Sequence, residues 1–322
     1  MDQLTRFLFD GLPVRGALVR LQHAWGDLLQ RRAQTQPYPE PVQRLLGEVV
    51  AASVLLQSSI RFDGKLVVQI AGDGPVSLLV AEVWQDHRLR ATATVRGEVP
   101  ADAGLIDMVN ANGKGRCAMT LDPSDRAPGQ QAYQGVVPLT DAHGVAVPSV
   151  AQALMQYMAQ SEQLDTQLVL AANHQVATGM LLQRMPTRGV GNLGAAKAKE
   201  AELGEHEDFN RLAMLMASLT ADELLQLEPE AWLHRLFWND PYQVLATEGA
   251  AAVPCFGCNC SRQRVMAMLQ GLGQHETESV IAEQGQVDVA CEFCGARYAF
   301  DSVDAAQLFA SGPSVPPPPA VQ

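Results

Sequence analysis

Five of the six cysteines in this 322-residue chain lie between Cys255 and Cys294. Thiols used as small buried hydrophobes would be scattered through a core. Gathered in one window, they oblige that window to fold around soft, reactive ligands. Two groups carry them: Pro254-Cys255-Phe256-Gly257-Cys258-Asn259-Cys260-Ser261-Arg262, and Ala290-Cys291-Glu292-Phe293-Cys294-Gly295. Thiol pairs about 30 residues apart can converge on one ion. Zinc suits four thiolates because it is borderline soft and accepts a tetrahedral shell with Zn–S near ~2.3 Å. Cys-x-x-Cys-Gly is a knuckle, in which the short spacing turns both sulfurs to one side and glycine permits the turn. An iron–sulfur cluster is the second option at this spacing. In the first group three thiols compete for two positions. Cys255 with Cys258 has the commoner two-residue gap, and Cys258 with Cys260 is a tighter pair. The spacing leaves both open, and His275 is a remote alternative ligand.

The remainder of the chain narrows what such a site is for. Asp2, Arg6 and Asp10 interrupt any apolar run at the start, which argues against a signal peptide, and no stretch is long enough to span a bilayer. The expected compartment is therefore the cytoplasm, where a cysteine cluster binds metal or does redox chemistry in preference to forming a permanent disulfide framework. The net charge is −12, which argues against nucleic acid as a partner. From Cys255 to Phe300, three arginines face five acidic residues, so the module itself has no footprint for phosphates. Gly72-Asp73-Gly74-Pro75 lacks the lysine and the helix start of a nucleotide loop, and no ATP site is expected. Apolar residues at 47% and charged residues at 18% allow a sizeable core.

The predicted fold class is α+β: a mostly antiparallel sheet domain with packed helices over 1–186, a helical linker over 187–252, a small four-cysteine zinc domain over 253–310 and a disordered Pro-rich tail over 311–322. Strand-like runs occur at Leu4–Phe9, Val14–Leu21, Lys65–Ala71, Val76–Trp84, Leu89–Val95, Arg116–Leu121, Tyr133–Leu139, Gln167–Ala172 and Gly179–Met185. They come in runs, not in strict alternation with helices, which favours a meander-type sheet. Helices are expected at Gln22–Arg32, at Val42–Ser58 after Pro41, and at Val150–Gln160. The second of these is apolar on more than one face and should be buried. Pro186 to Leu193 reads as a break, and Gly194–Gly204 has a modest helical tendency. Further helices are expected at Glu205–Leu219, from a Thr220 cap to Leu225, and at Pro229–Phe237, all apolar on one side only. The cysteine module has only Val265, Met268, Leu269, Leu272, Val280, Ile281, Val287, Val289, Phe293, Tyr298 and Phe300 to bury. Metal binding would supply much of its folding free energy, of order ~10–16 kcal/mol.

At Cys258-x-Cys260-Ser261-Arg262-x-Arg264, followed by Cys291-x-x-Cys294-Gly295, the chain resembles the heat shock protein 33 family of redox-regulated holdase chaperones. Similar family segments are Asp2-Gln3-Leu4 with Arg6 and Phe9, Val14-Arg15-Gly16, Phe62-Asp63-Gly64, Gly72-Asp73-Gly74-Pro75, Tyr133-Gln134-Gly135-Val136-Val137, Ser161-Glu162-Gln163-Leu164, Gly179-Met180-Leu181-Leu182-Gln183, Ile281-Ala282-Glu283 and Tyr298-x-Phe300. The likeness runs from about residue 2 to 310. It implies Cys258, Cys260, Cys291 and Cys294 as ligands of one zinc ion per chain. Cys255 and Cys117 fall outside the family pattern, and Cys255 is left as a possible extra thiol.

A zinc-bound thiolate is a nucleophile toward peroxide or hypochlorous acid. Thiols nearest in sequence have the highest effective concentration, giving disulfides Cys258–Cys260 and Cys291–Cys294, and the resemblance implies the same pairs. The resemblance further implies a linker that covers the N-terminal sheet when reduced and loosens on oxidation, unfolded client proteins as partners, and a homodimer on activation. Two other classes compete. A purely structural zinc ribbon would mediate constitutive protein interactions. A thiol–disulfide enzyme would place its Cys-x-x-Cys at a helix start in a strand–helix unit, unlike a paired knuckle, so no enzymatic activity is expected.

Overall fold

The computed structural model describes residues 1–60, 62–125, 131–185, 195–245 and 253–310, with only the backbone for 195–205 and 310. The break at Pro186–Leu193 and the tail 311–322 lie outside the described residues. The chain forms two compact units, Met1–Gly257 and Cys258–Gln322.

The first unit opens with a hairpin of β1 (Gln3–Phe9) and β2 (Val14–Leu21). Helix α1 (His23–Ala33) follows, and its first turn is fixed from a distance. The Asp2 carboxylate accepts from the backbone N–H groups of Gln22, His23 and Ala24 at 2.5–2.8 Å, satisfying donors that have no partner inside the helix. Helix α2 (Glu40–Ser59) starts with Pro41 in its first turn, where the missing N–H costs nothing. Strands β3 (Gly64–Ala71), β4 (Val76–Trp84) and β5 (Arg88–Val95) form a meander. A short helix α3 (Leu105–Val109), β6 (Arg116–Pro123) and β7 (Tyr133–Pro138) come next. Helix α4 (Val150–Tyr157) runs into one π-turn, Met158–Glu162, that ends on Gln163 at φ 55°, so the regular helix is shorter than the predicted Val150–Gln160. Strands β8 (Thr166–Ala172) and β9 (Ala177–Arg184) form a second hairpin.

Helices α5 (Ala195–Ala217), α6 (Ala221–Gln226) and α7 (Pro229–Phe237) follow, then β10 (Tyr242–Leu245) and β11 (Cys255–Phe256). Thr220 caps α6 in a capping box with Glu223, as its position before an acidic first turn predicts. Helix α5 begins ten residues before the predicted start. Its first turns are rich in Ala, Lys and Glu, whose helix propensity extends a helix beyond its apolar stripe.

Two sheets, not one meander, build this unit. A five-stranded sheet has the order β10-β1-β2-β9-β8, and a six-stranded sheet has the order β11-β5-β4-β3-β6-β7. Every pairing in them is antiparallel except β11 with β5. The reason lies in α2, where fifteen of twenty residues are buried. A single sheet covers one stripe of a helix. Apolar on all sides, α2 packs against β2, β8 and β9 of one sheet and β3, β4 and β5 of the other. Gly47 allows the close approach, since a Cβ there would stand 2.5 Å from the Ala172 Cβ. The Gly72–Pro75 turn is tied to the end of α3: the Asp73 N–H donates to the Val109 carbonyl at 3.0 Å.

The outer face of the five-stranded sheet carries a second core. Phe7, Phe9, Val14, Leu18, Met180 and Leu182 meet Phe209, Leu212, Met216, Trp232, Leu236 and Phe237 from α5–α7. Buried Arg20 on β2 donates to the carbonyls of Leu224 (3.1 Å), Leu225 (3.0 Å) and Leu227 (3.2 Å), which close the C-terminal end of α6. Among the described residues, no helix is long and apolar enough to cross a membrane.

Candidate metal centre

The second unit comprises α8 (Arg262–Leu272), α9 (Gln274–Gln284), a hairpin of β12 (Val287–Ala290) and β13 (Arg297–Phe300), and α10 (Ser302–Ala310). Its core is small. Leu269, Val287, Phe300 and Leu308 are buried, with Val265, Met266, Val280, Ile281, Val289, Tyr298 and Phe309 packed around them. Met268 and Leu272, expected inside, are exposed. Met266 packs inward with Val265 and Leu269, which rotates the buried stripe of α8 away from Met268, and Leu272 is the last residue of the helix. α10, which the sequence reading did not assign, contributes Leu308 and Phe309.

Each thiol pair has a local device that fixes it. Cys258 and Cys260 lie on the segment leading into α8. The Ser261 hydroxyl accepts from the Arg264 N–H at 3.2 Å and so caps that helix directly after Cys260. The Arg262 guanidinium stacks 4.2 Å over the Phe300 ring, donates to the Ala299 carbonyl at 2.7 Å and pairs with Asp304 at 2.7 Å. The Ser-Arg dipeptide thus ties the first thiol pair to β13 and α10. Cys291 and Cys294 occupy the turn of the β12–β13 hairpin. The Cys291 N–H donates to the Ala296 carbonyl (2.9 Å) and the Gly295 N–H to the Cys291 carbonyl (2.8 Å), with Gly295 at φ 71°. A side chain at that φ would be strained, which is the physical content of the glycine after the knuckle.

The four sulfurs of Cys258, Cys260, Cys291 and Cys294 all lie within 4.8 Å of one another. Two contacts cross between the pairs, Cys258 to Cys291 at 3.7 Å and Cys260 to Cys294 at 3.2 Å. A tetrahedral Zn–S₄ shell has sulfur–sulfur edges of about 3.8 Å, so the donor set fits such an ion. As bare thiols, Cys291 and Cys294 resist ionisation. Burial raises the Cys291 pKa, and burial raises that of Cys294 strongly. The Tyr298 hydroxyl donates to the Cys260 sulfur at 3.2 Å, and this bond first of all lifts the phenol to about 12. A cation among the sulfurs reverses that preference and stabilises thiolates.

The other candidates lie elsewhere. Cys255 is exposed on β11 in the first unit, where its N–H donates to the His87 carbonyl at 3.2 Å, and burial and Asp86 raise its thiol pKa. Cys117 is fully buried on β6, and burial pushes its thiol to about 12. His275 is exposed on α9. Among the described residues, Cys258, Cys260, Cys291 and Cys294 are the one group with three or more metal-ligating side chains in reach of each other. The Cys-x-x-Cys lies between two strands and not at a helix start.

The family model described as Hsp33 protein matches residues 2–301. The chain belongs to the heat shock protein 33 family. It is 44% identical over 308 residues to a 33 kDa chaperonin of Chromobacterium violaceum, covering 96% of this chain and 94% of that one. It is 38% identical over 310 residues to a 33 kDa chaperonin of Shewanella woodyi, covering 96% of each. The crystal structure of the 33 kDa chaperonin (heat shock protein 33 homolog) from Thermotoga maritima is similar in fold, with a TM-score of 0.72, 19% identity, and coverage of 97% of this chain and 99% of that one. The family model and the curated relatives thus describe a chaperone of the heat shock protein 33 type. Arg20 and its three carbonyl partners were not legible in the sequence. The one available signal was an arginine interrupting the apolar run Val14–Leu21.

Proposed function

We propose that this protein is a redox-regulated, ATP-independent holdase: zinc-bound and inactive when reduced, and active toward unfolding clients once its zinc ligands are oxidised. The convergence of Cys258, Cys260, Cys291 and Cys294 within 4.8 Å carries the reading. Bound there, zinc would hold the four sulfurs as thiolates and so keep them nucleophilic at neutral pH. A thiolate attacks peroxide, forms a sulfenic acid and releases hydroxide. A neighbouring thiol then attacks that sulfur, water leaves, and one disulfide has formed at the cost of one peroxide. Two disulfides need two peroxides and remove all four ligands. Cys258–Cys260 and Cys291–Cys294 are the proposed pairs, because an unfolding module keeps only its sequence neighbours at high effective concentration.

Loss of the ligands leaves the second unit with the cluster of Leu269, Val287, Phe300 and Leu308, too small a core to stay folded alone. The linker α5–α7 then loosens, and the apolar sheet face beneath it becomes the surface for clients without sequence specificity. Activation is accompanied by dimerisation, and the site of action is the cytoplasm. Zinc content and free thiols should be counted before and after peroxide, alongside suppression of client aggregation. One zinc released and four thiols lost, with suppression appearing in step, is the expected result. Equal suppression by the reduced, zinc-loaded form would instead support a structural zinc ribbon. Disulfide mapping that found Cys258 joined to Cys291, whose sulfurs stand 3.7 Å apart in the folded module, would overturn the proposed pairs.

A further inference from the structure

We infer that the β1 edge of the five-stranded sheet, now occupied by β10, is a docking site for one extended, β-prone segment of an unfolded client, which adds to the sheet as a strand. The inference rests on the holdase reading above and names a part of the client surface which that reading leaves undefined.

An exposed strand edge is a template for pairing, and proteins blunt it with proline, lysine or a bulge. The opposite end of the six-stranded sheet follows that rule, since β7 ends in Pro138. Strand β1 does not. Gln3-Leu4-Thr5-Arg6-Phe7-Leu8-Phe9 has no proline, lysine or bulge, and it pairs in unbroken register on its other side with β2. What hides its free edge is a four-residue strand with no buried residue, following directly on the linker helices. The register is Arg6 to Leu245, Phe7 to Val244, Leu8 to Gln243 and Phe9 to Tyr242. The Asp10 N–H donates to the Pro241 carbonyl at 2.9 Å. Alternation in an antiparallel ladder then aims the N–H groups of Leu8 and Arg6 at the same edge.

The two faces beside this edge differ in a way that suits an alternating strand. On the outer face Tyr242 stands edge-on to Phe7 and Phe9, with ring centroids 5.7 and 6.4 Å away. On the inner face a cavity of about 210 Å³ is lined by Leu8, Ala17, Leu181 and Met185, with Arg6 and Arg15 at it as well and Leu245 on its wall. Strand addition gains affinity from main-chain bonds, which any sequence supplies, and selectivity from pockets that take alternate side chains. The fitting partner therefore carries an aromatic residue where Tyr242 sits and aliphatic residues at alternate positions facing the cavity. β10 is the chain's own stand-in for it. It is an edge strand with no buried residue and lies on the element that the holdase reading requires to move.

Site-resolved amide exchange on the full chain tests this, with reduced, carboxymethylated α-lactalbumin as a permanently unfolded client and an aggregation assay in parallel. The amides of Arg6, Leu8 and Asp10 should be protected in the reduced form, exchange freely after oxidation, and regain about 100-fold protection when the client is added. Suppression of aggregation with those amides still exchanging freely in the client complex overturns the inference and leaves the holdase reading intact. Protection that returns without client and grows with protein concentration also overturns it, because a second copy is then the occupant. If oxidation neither frees those amides nor turns on suppression, the holdase reading falls and this inference falls with it.

Discussion

Replacing Arg20 by methionine isolates the contact that clamps the linker to the sheet. The guanidinium is buried on β2 and donates to the carbonyls of Leu224, Leu225 and Leu227 at 3.0–3.2 Å. Its nearest carboxylate, Glu228, is 4.0 Å away and largely exposed, so that ion pair contributes little. Hydrogen bonds from a charged donor contribute about 1.5–3 kcal/mol each, but the carbonyls at the end of a helix regain water once the linker lifts. A net loss of about 3 kcal/mol in linker docking is a reasonable scale, equivalent to a roughly 100-fold rise in the open population. Methionine keeps the length of the side chain and adds no new polar group. Native-state amide exchange should show α6 and α7 opening about 100-fold more often, with α2 amides unchanged because they report on the other core. On the holdase reading, the reduced, zinc-loaded variant should also suppress aggregation in part. Exchange of α6 and α7 within threefold of wild type would refute the clamp.

Cys291→Ser should lower zinc content well below one ion per chain and abolish the response to peroxide, and unchanged zinc content would sink the ligand assignment. Chelation with the thiols kept reduced should unfold Cys258 to Leu308, whose folding then lacks a metal contribution of order ~10–16 kcal/mol, while the sheet unit retains its own thermal transition. Glu48 on α2 is held up to about 7 by burial, which Arg44 only partly opposes. The folded state therefore binds more protons than the unfolded one, and stability falls as pH rises from about 4.5 to about 7. Glu48→Gln should remove that slope and stabilise the protein at pH 8 by about 1–3 kcal/mol, read from urea midpoints at pH 5 and pH 8.

Much of this architecture was legible because period and turn chemistry are local. The three strands β3, β4 and β5, the Pro41 helix start and the Thr220 cap needed only neighbouring residues. The candidate metal centre was legible by type from spacing, which admitted Cys255 beside Cys258; the family resemblance named Cys258, Cys260, Cys291 and Cys294, and in the fold Cys255 is paired into β11 through a main-chain bond to His87. The second sheet was not legible, because an all-apolar helix states that it is covered without stating by what. β10 and β11 are four and two residues long, below the length at which alternation carries a signal, and both exist through edges supplied by distant strands. The clamp at Arg20 requires three carbonyls more than 200 positions away, and no local pattern announces that.

On the holdase reading, the separation of the two cores lets one chain expose apolar surface and keep its inner core. The buried members of the core around α2 run from Leu4 to Leu181, and none comes from α5–α7. The second core is shared between the outer sheet face and the linker. Lifting the linker removes Phe209, Leu212, Met216, Trp232, Leu236 and Phe237 from that core and leaves the helix sandwiched between two sheets as it was. What is uncovered is a contiguous face bearing Phe7, Phe9, Val14, Leu18, Ala171, Met180 and Leu182, several hundred Å² of apolar surface at about 100 Å² per side chain, at the size where such patches bind partners. A monomer with a single shared core would have to lose its fold to present such a face. Here Phe7 and Phe9 face outward from a strand whose Leu4 faces inward, so the alternation of one strand divides the surface that can be shown from the core that must be kept.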